Sequence, residues 1–309
     1  MTTTAIPAIA ARPKRRWQFA ERNSLVALAL FIPPSLIIFF AFFVLPMLDA
    51  GGFSFFDWSG YGPMTDFVGL ENYQKVLEHR FFFNSVKNSL LVVAVSLAIQ
   101  LPLALWCALA LVEKGWGVNV LRLLFFVPYM LAEVAAGLMW RFVYDGDYGL
   151  VATVGNAIGV DPPFVLADKF WVLPAIMVVI IWKYFGFHMM IYIAGLQAIP
   201  TEVIEAARLD GVKRGQIIRH IKIPMIWSSI VVSMFFAIVG ALQLFDVIIP
   251  LTNGGPNNST HTIVTFLYQF GVRRLEYGFG GAVSVLLFIM CVGFTMVYRR
   301  ALFPREAQS

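Results

Sequence analysis

The fold class is decided by residues 85–111, which read SVKNSLLVVAVSLAIQLPLALWCALAL. Beyond Lys87 this stretch contains no charged residue. About 20 consecutive apolar residues are enough for a helix to cross the hydrocarbon core of a bilayer. The stretch therefore predicts a transmembrane helix over Ser85–Leu111.

The rest of the chain shares this apolar character. Of its 309 residues, 59% are hydrophobic and 13% are charged, and the mean hydropathy is +0.76. Soluble domains average roughly 45–50% apolar and about 25% charged residues. The excess of apolar side chains needs a surrounding other than water, so the composition predicts one membrane-embedded bundle.

Five further apolar runs are long enough to span a membrane, and with Ser85–Leu111 they predict an all-α polytopic bundle of six transmembrane helices. They are Leu25–Leu48, Val120–Tyr144, Trp171–Ala194, Pro224–Pro250 and Gly280–Tyr298. The first run is longer than a signal-peptide core of about 7–15 residues. The predicted organisation is a cytoplasmic N-terminal tail (1–24), a transmembrane domain (25–300) and a cytoplasmic C-terminal tail (301–309).

Basic residues predict the orientation of this bundle. Lys and Arg cluster at 12–22, 208–222 and 299–305, while the alternate loops hold most of the Asp and Glu residues. Lys and Arg favour the cytoplasmic side of a membrane, so both termini are expected there. The loops on the opposite side are marked by turn-forming residues, namely Gly51-Gly52, 60–63, 161–163 and 253–258.

Several classes of function are disfavoured. The two cysteines, Cys107 and Cys291, lie inside apolar runs, so we expect neither a disulfide nor a metal site. The basic clusters border apolar runs and are not interleaved with aromatic residues as in a nucleic-acid site. The sequence has no Gly-x-x-x-x-Gly-Lys-Ser/Thr phosphate loop, so we do not expect ATP hydrolysis by this chain.

Polar and ionisable side chains within the predicted spans are candidates for function because burying them in a membrane is costly. They are Gln100, Glu133, Lys183, His188, Gln243 and Asp246. Each also has a structural interpretation, such as a hydrogen bond between helices or a loop contact. For Lys183 two roles are open: an ion pair with Glu133, which we favour, or contact with an anionic substrate.

The segment 198–223, between the fourth and fifth spans, predicts two short cytoplasmic helices. Thr201 is expected to be the N-cap, with Glu202 and Glu205 in the first turn, where the helix dipole favours negative charge. Gly211 is expected to end the helix in a left-handed conformation. The residue pattern fits a helix that docks another protein and equally one that lies on the bilayer.

A resemblance favours docking. Glu205-Ala206-Ala207 followed by Gly211 and Ile223-Pro224 resembles the coupling loop of bacterial ATP-binding-cassette (ABC) import permeases. Residues 68–73 (VGLENY), 194–200 (AGLQAIP) and 251–256 (LTNGGP) resemble the carbohydrate-uptake branch of that family, which includes maltose and glycerol-phosphate permeases. This likeness covers nearly the whole chain and implies the type I ABC importer permease fold.

The resemblance also implies an assembly in the bacterial inner membrane. In this family a second, homologous permease forms a heterodimer with the first, two copies of an ATPase bind below, and a soluble extracytoplasmic protein delivers a sugar or sugar derivative. ATP and Mg²⁺ belong to the ATPase, so no cofactor is expected on this chain, which is not an enzyme. The residues implied to couple to the ATPase are Glu205, Ala206, Ala207, Asp210 and Gly211.

Substrate contacts are implied in the fourth and fifth spans. The matching positions are Lys183, Tyr184, Phe187, Gly240, Ala241 and Leu244. From the polar residues within the spans we add Gln243 and Glu133. The fifth-span positions depart from the amide-rich pattern of maltose permeases, which argues against maltose itself as the cargo.

Two other classes of membrane protein predict different features. An ion-driven secondary transporter predicts inverted repeats and no docking loop. A membrane-embedded enzyme needs a catalytic group of residues, and the spacing of Glu133, His188 and Asp246 suggests none. The sequence favours a permease that works by alternating access.

Overall fold

A computed structural model describes residues 15–113, 115–160 and 164–302. Within these ranges the chain is helical, and its one β-type pairing is an isolated bridge between Phe56 and Phe67. Two compact units are formed by Met1–Gly52 and Phe53–Ser309. The predicted turn at 161–163 and most of the two predicted tails lie outside the described residues.

The helices are numbered in chain order. They are α1 (Arg15–Phe39), α2 (Leu45–Phe53), α3 (Glu71–Glu78), α4 (Phe82–Val95), α5 (Leu101–Ala110), α6 (Trp116–Met130), α7 (Glu133–Val143), α8 (Leu150–Ala157), α9 (Val172–Gln197), α10 (Thr201–Leu209), α11 (Arg214–Ile217), α12 (Ile223–Met225), α13 (Trp227–Leu242), α14 (Ile248–Thr252), α15 (Ile263–Leu267) and α16 (Tyr277–Leu302). Short π-helical turns occupy Phe40–Val44, Ser96–Gln100, Ile218–Lys222 and Tyr268–Val272.

Four helical stretches are long and apolar enough to cross a membrane by themselves. They are Leu28–Phe53, Phe82–Ala110, Val172–Gln197 and Tyr277–Arg300. Two bent pairs of helices raise the number of candidate spans to six. The all-α fold class and its apolar spans are thereby confirmed.

The first unit is one apolar helical stretch that runs from α1 through a π turn into α2. Its most apolar window has a mean hydropathy of 2.6, which suits a lipid surrounding. It tolerates Pro33 and Pro34 inside α1. Gly51 and Gly52, predicted to mark a loop, lie instead inside α2.

The third predicted span, Val120–Tyr144, is not one straight helix. The structure divides it into α6 and α7, which meet at an angle of 99°. Leu131 and Ala132 adopt extended backbone conformations at the break, and Pro128 lies in the last turn of α6. Helix α6 ends two residues after Pro128, and the two extended residues that follow let α7 leave in a new direction.

The fifth predicted span, Pro224–Pro250, also differs. It begins with α12, bends by 67° and continues as α13, which ends at Leu242. Pro250 belongs to the separate short helix α14, which packs against α7. The contact is close, because a Cβ atom added to Gly137 would lie 2.6 Å from the Pro250 Cγ atom.

Helix α9 is the centre of the second unit. Its buried side chains face α5 on one side and α6 on another, and its N-terminal half joins a core with Leu242, Val247 and Ile248. Gly186 allows α9 to approach α6, since any Cβ there would collide with the Phe125 carbonyl group. This contact fixes the position of the residues around 183–188.

A second core, rich in phenylalanine, packs α3 and α4 against α15 and α16. The Asn88 side-chain amide, which is buried, donates to the carbonyl oxygens of Ser259 and His261 at 2.7 and 2.9 Å. Thr262 donates to the Leu244 carbonyl oxygen at 2.7 Å. These bonds hold the 253–262 loop against the ends of α4 and α13.

Candidate functional site

A cavity of about 370 Å³ lies between the second, third, fourth and fifth apolar segments. Its volume falls within the range of roughly 300–1,000 Å³ typical of small-molecule sites. The lining residues are Val92, Ser96, Gln100, Tyr129, Glu133, Ile180, Tyr184, Phe187, His188, Phe236, Ala237, Gly240, Ala241, Gln243, Leu244 and Asp246.

One wall of the cavity is aromatic. The rings of Tyr129 and Phe187 are stacked with their centroids 4.7 Å apart and their planes 19° apart. Phe236 meets Phe187 edge to face at 5.8 Å. Tyr129 is 37% exposed and Phe236 is 48% exposed, so this wall is open at the surface of the chain.

The other wall is polar. The Tyr184 hydroxyl donates to Glu133 Oε1 at 2.8 Å, which connects α9 to the first residue of α7. His188 Nδ1 and Ser233 Oγ are 2.7 Å apart, a hydrogen bond between α9 and α13. Gln243 and Asp246 follow the end of α13 and are exposed. The cavity thus presents carboxylate, amide and hydroxyl groups together with aromatic rings.

Space at the fifth segment comes from two small residues. Gly240 is exposed, and a Cβ atom added there would have no atom within 4 Å. Ala241 is buried beside it. A larger residue at 240 would therefore project into the cavity without disturbing the packing of α13.

Lys183 does not line the cavity. Its side chain is buried, with 1% exposure, and Nζ donates to the carbonyl oxygens of Pro128 at 3.2 Å, Tyr129 at 3.3 Å and Leu131 at 2.7 Å. It makes no direct ion pair with Glu133 within 4.0 Å, although the charge of Glu133 still acts on the ammonium group. The three carbonyl groups lie at the broken end of α6, where that of Pro128 also accepts from the Leu131 N–H at 3.4 Å, and they bind the ammonium group.

The structure brings most of the predicted substrate-contact residues together. The cavity is lined by Glu133, Tyr184, Phe187, Gly240, Ala241, Gln243 and Leu244, and also by Gln100, His188 and Asp246 from the wider polar set. Sequence reasoning missed the other six lining residues, which are Val92, Ser96, Tyr129, Ile180, Phe236 and Ala237. Ser96 could have been found from its spacing of one helical turn before Gln100, whereas Tyr129 and Phe236 do not differ in pattern from ordinary apolar positions.

The 198–223 segment forms α10 and α11 followed by a π turn and α12. Glu205 and Ala206 are exposed, and Ala207 is buried. Gly211 adopts a φ of +75°, as expected for the residue that ends α10. Two details were predicted wrongly: Pro200 occupies the N-cap position and Thr201 makes no capping bond, and only Glu202 of the two glutamates lies in the first turn.

No group of three or more His, Cys, Asp or Glu side chains in the described part of the chain is arranged to hold a metal ion. A bundle of apolar spans around a polar and aromatic cavity, with an exposed helical loop between two spans, defines a membrane transport protein. Its chemistry is that of binding and release.

The chain belongs to the family of binding-protein-dependent transport system inner membrane components, whose model matches residues 100–306. It is therefore the inner-membrane permease component of a binding-protein-dependent ABC importer, and its role is transport. The trehalose/maltose transport system permease protein MalF of Thermococcus litoralis is 32% identical over 87% of this chain and 91% of that one.

Two further comparisons extend this result. The sulfoquinovosyl glycerol transport system permease protein SmoG of Agrobacterium fabrum is 30% identical over 94% of this chain and 95% of that one. A chain in the crystal structure of a bacterial alginate ABC transporter, solved with an alginate pentasaccharide-bound periplasmic protein, matches with a TM-score of 0.80. That match has 22% identity and covers 96% of this chain and 99% of the other, and it supports the fold alone.

Proposed function

We propose that this chain forms the transmembrane pathway of an ATP-driven importer whose cargo is a sugar or a sugar derivative. The observation that carries the proposal is the cavity, which is lined both by the stacked Tyr129 and Phe187 rings and by Glu133, Gln243 and Asp246. Aromatic faces pack well against the C–H faces of a sugar ring, and carboxylate and amide groups bind its hydroxyls. The relatives named for trehalose, maltose and sulfoquinovosyl glycerol support a cargo of this kind.

The proposed binding residues are those predicted residues that line the cavity. They are Glu133, Tyr184, Phe187, Gly240, Ala241, Gln243 and Leu244. Lys183 is removed from this set, because its ammonium group is bound by backbone carbonyls behind the cavity wall.

The proposed assembly contains a second homologous permease, a homodimeric ATPase that holds ATP and Mg²⁺, and an extracytoplasmic solute-binding protein. Both termini lie in the cytoplasm, as the Lys and Arg distribution supports, with residues 25–300 as the transmembrane domain. ATP-driven closure of the ATPase pair is transmitted through the 198–223 segment and alternates access to the cavity. Glu205, Ala206, Ala207, Asp210 and Gly211 form the proposed contact.

Copurification tests the coupling step. Glu205 is exposed on α10, so Glu205→Ala is expected to leave the fold intact and to release the ATPase from the complex purified in detergent. Glu202→Ala is the matched control, since Glu202 is an equally exposed acid one turn earlier in the same helix. Retention of the ATPase by Glu205→Ala with undiminished transport would rule out this contact.

A cavity-filling variant tests the cargo pathway. Gly240→Leu is expected to abolish uptake of radiolabelled cargo, with trehalose as the first probe, by cells that carry the complete transporter. Gly293→Leu in α16 is the control, because Gly293 is also exposed and also has no atom within 4 Å of an added Cβ. If Gly240→Leu is expressed and assembled and still transports at the parental rate, the cavity is not the pathway.

A further inference from the structure

The ionisable groups that face the cavity are of one sign. Glu133 and Asp246 contribute carboxylates, and no lysine or arginine among the described residues lines it. The one imidazole, His188, is hydrogen-bonded through Nδ1 to Ser233. Tyr129 and Tyr184 complete the set of titratable side chains. The lining carboxylates outnumber the one nearby ammonium group, that of Lys183, which lies outside the lining at 5.5 Å from the Tyr184 ring centroid, so the wall keeps a net negative charge.

The break between α6 and α7 explains why the Lys183 ammonium group does not line the cavity. Lys183 and Tyr184 are consecutive in α9 and bind opposite sides of this break. Lys183 Nζ donates to carbonyl oxygens at the end of α6, where the helix dipole favours a cation. Tyr184 holds Glu133, the first residue of α7, where the dipole favours an anion.

This arrangement fixes the charges in place. The ammonium group is buried behind the wall and the Glu133 carboxylate is directed into the cavity. Exchanging their positions would put a carboxylate among carbonyl oxygens and a cation at a helix N-terminus, and both changes are unfavourable.

We propose that the cavity selects saccharides that carry no anionic group, with Glu133 and Asp246 as the charge-selecting residues and Lys183 as the residue that positions the break. This inference rests on the proposed function and narrows its substrate class. Carboxylates accept hydrogen bonds from the hydroxyl and amide groups of an uncharged saccharide. They repel a uronate, sulfonate or phosphate, the more strongly where water is partly excluded.

The names of the relatives leave this question open. One is named for trehalose and maltose, which are uncharged, and another for sulfoquinovosyl glycerol, which bears a sulfonate. The structural neighbour is a transporter of alginate, an acidic polysaccharide. The choice between uncharged and anionic saccharides is therefore argued from the cavity residues of this chain and not from the names of its relatives.

A cysteine placed in the cavity measures its charge directly. Gly240→Cys is introduced into a chain in which Cys107 and Cys291 are replaced by Ala, and the complete transporter is purified. Its reaction rates with a trimethylammonium, a sulfonate and an uncharged methyl methanethiosulfonate are each divided by the rate with free mercaptoethanol. The cationic reagent is expected to react on the order of tenfold faster than the anionic one.

Two variants assign this preference to the proposed residues. Glu133→Gln with Asp246→Asn is expected to bring the two rates to within about twofold of each other, while the amide oxygen introduced by Glu133→Gln can still accept from the Tyr184 hydroxyl. Gly117→Cys, at an exposed site near the start of α6 outside the cavity, is the positional control. Its rate ratio should not respond to the double substitution.

The outcomes separate this inference from the proposed function. A cavity cysteine that reacts with the uncharged reagent but prefers the anionic reagent, or shows no preference, overturns the charge selection and leaves the pathway in place. A cysteine that none of the three reagents reaches overturns both proposals, since the cavity would then be closed to solutes in the assembled transporter.

Protection by saccharides completes the test without the binding protein. Trehalose is expected to slow modification of Gly240→Cys by the uncharged reagent at least twofold more than sulfoquinovosyl glycerol or alginate oligosaccharides at equal concentration. Stronger protection by either anionic saccharide refutes the proposed selectivity. Absence of protection by every one of them counts against the sugar cargo, while the charge preference is judged by the reagent rates.

Discussion

Replacing Lys183 by Met tests the central structural claim, that this lysine holds the break in the third span and does not face the cargo. Methionine has a similar length and fills a similar volume, but it cannot donate to the carbonyl groups of Pro128, Tyr129 and Leu131. The substitution therefore removes the hydrogen bonds and the charge while it preserves most of the packing around α9.

The expected loss of stability follows from two opposing terms. Three hydrogen bonds to a charged donor, at about 1.5 kcal/mol each, sum to roughly 4–5 kcal/mol. Burial of an ammonium group costs several kcal/mol, and the substitution relieves part of that cost. The net destabilisation is about 2 kcal/mol, which for a chain of this size lowers the unfolding midpoint by roughly 3 °C.

The assay is thermal unfolding of the purified transporter in detergent, followed by tryptophan fluorescence. Lys169→Met is the control, because Lys169 is exposed and its loss changes the net charge by the same amount. An unchanged unfolding midpoint for Lys183→Met would refute the claim that Lys183 stabilises the break between α6 and α7.

Two further predictions concern packing and pH. Gly186→Ala should prevent assembly or lower the unfolding midpoint sharply, because its Cβ would collide with the Phe125 carbonyl group, whereas Gly240→Ala should be nearly neutral in the same thermal assay. Partial burial lowers the pKa of His79 below its ordinary value of 6.5. Nearby positive charges act in the same direction, and they belong to Arg274 and Arg80. The unfolded chain then binds more protons than the folded chain at mildly acid pH, so the stability that His79 contributes is lost as the pH falls below 6.5. The midpoint should drop between pH 7.5 and pH 5.5 by less in His79→Gln than in the parent, and an equal drop would contradict this assignment.

The spans were predictable because hydropathy depends only on composition along the chain. Trp171–Ala194 was predicted and Val172–Gln197 is observed, a difference of a few residues at each end. The grouping of Tyr184 and Phe187 with Gly240 and Leu244 also followed from sequence, through the family resemblance. Both depend on properties that can be read directly from the order of residues along the chain.

The break in the third span was not predictable in the same way. A run such as Val120–Tyr144 has the same hydropathy whether it is straight or bent by 99°. Pro128 was a local signal, but prolines inside α1 do not end that helix. What distinguishes the two cases is a side chain more than fifty positions away in sequence, since Lys183 supplies the donors that the freed carbonyls need.

The hydrogen-bond partners of Lys183 were not predictable for a related reason. Sequence reasoning expected a lysine in an apolar run to pair with an acidic side chain or an anionic substrate, because regular helices offer no other partner for it. A broken helix does offer one, in the form of unsatisfied carbonyl oxygens. The partner was backbone, and backbone groups become available only where the fold departs from the regular helix that hydropathy assumes.

The same break also accounts for the position of the cavity. Irregular backbone at membrane depth is tolerated where it is buried in protein or lines an aqueous cavity, and not where it faces lipid. Residues 131–132 adopt extended conformations between Tyr129 and Glu133, both of which line the cavity. The lysine behind the wall and the carboxylate in front of it are thus two consequences of one interruption. A substitution that restored a continuous helix there would remove the carbonyl sites, displace Lys183 and carry Glu133 away from Tyr184 in a single step.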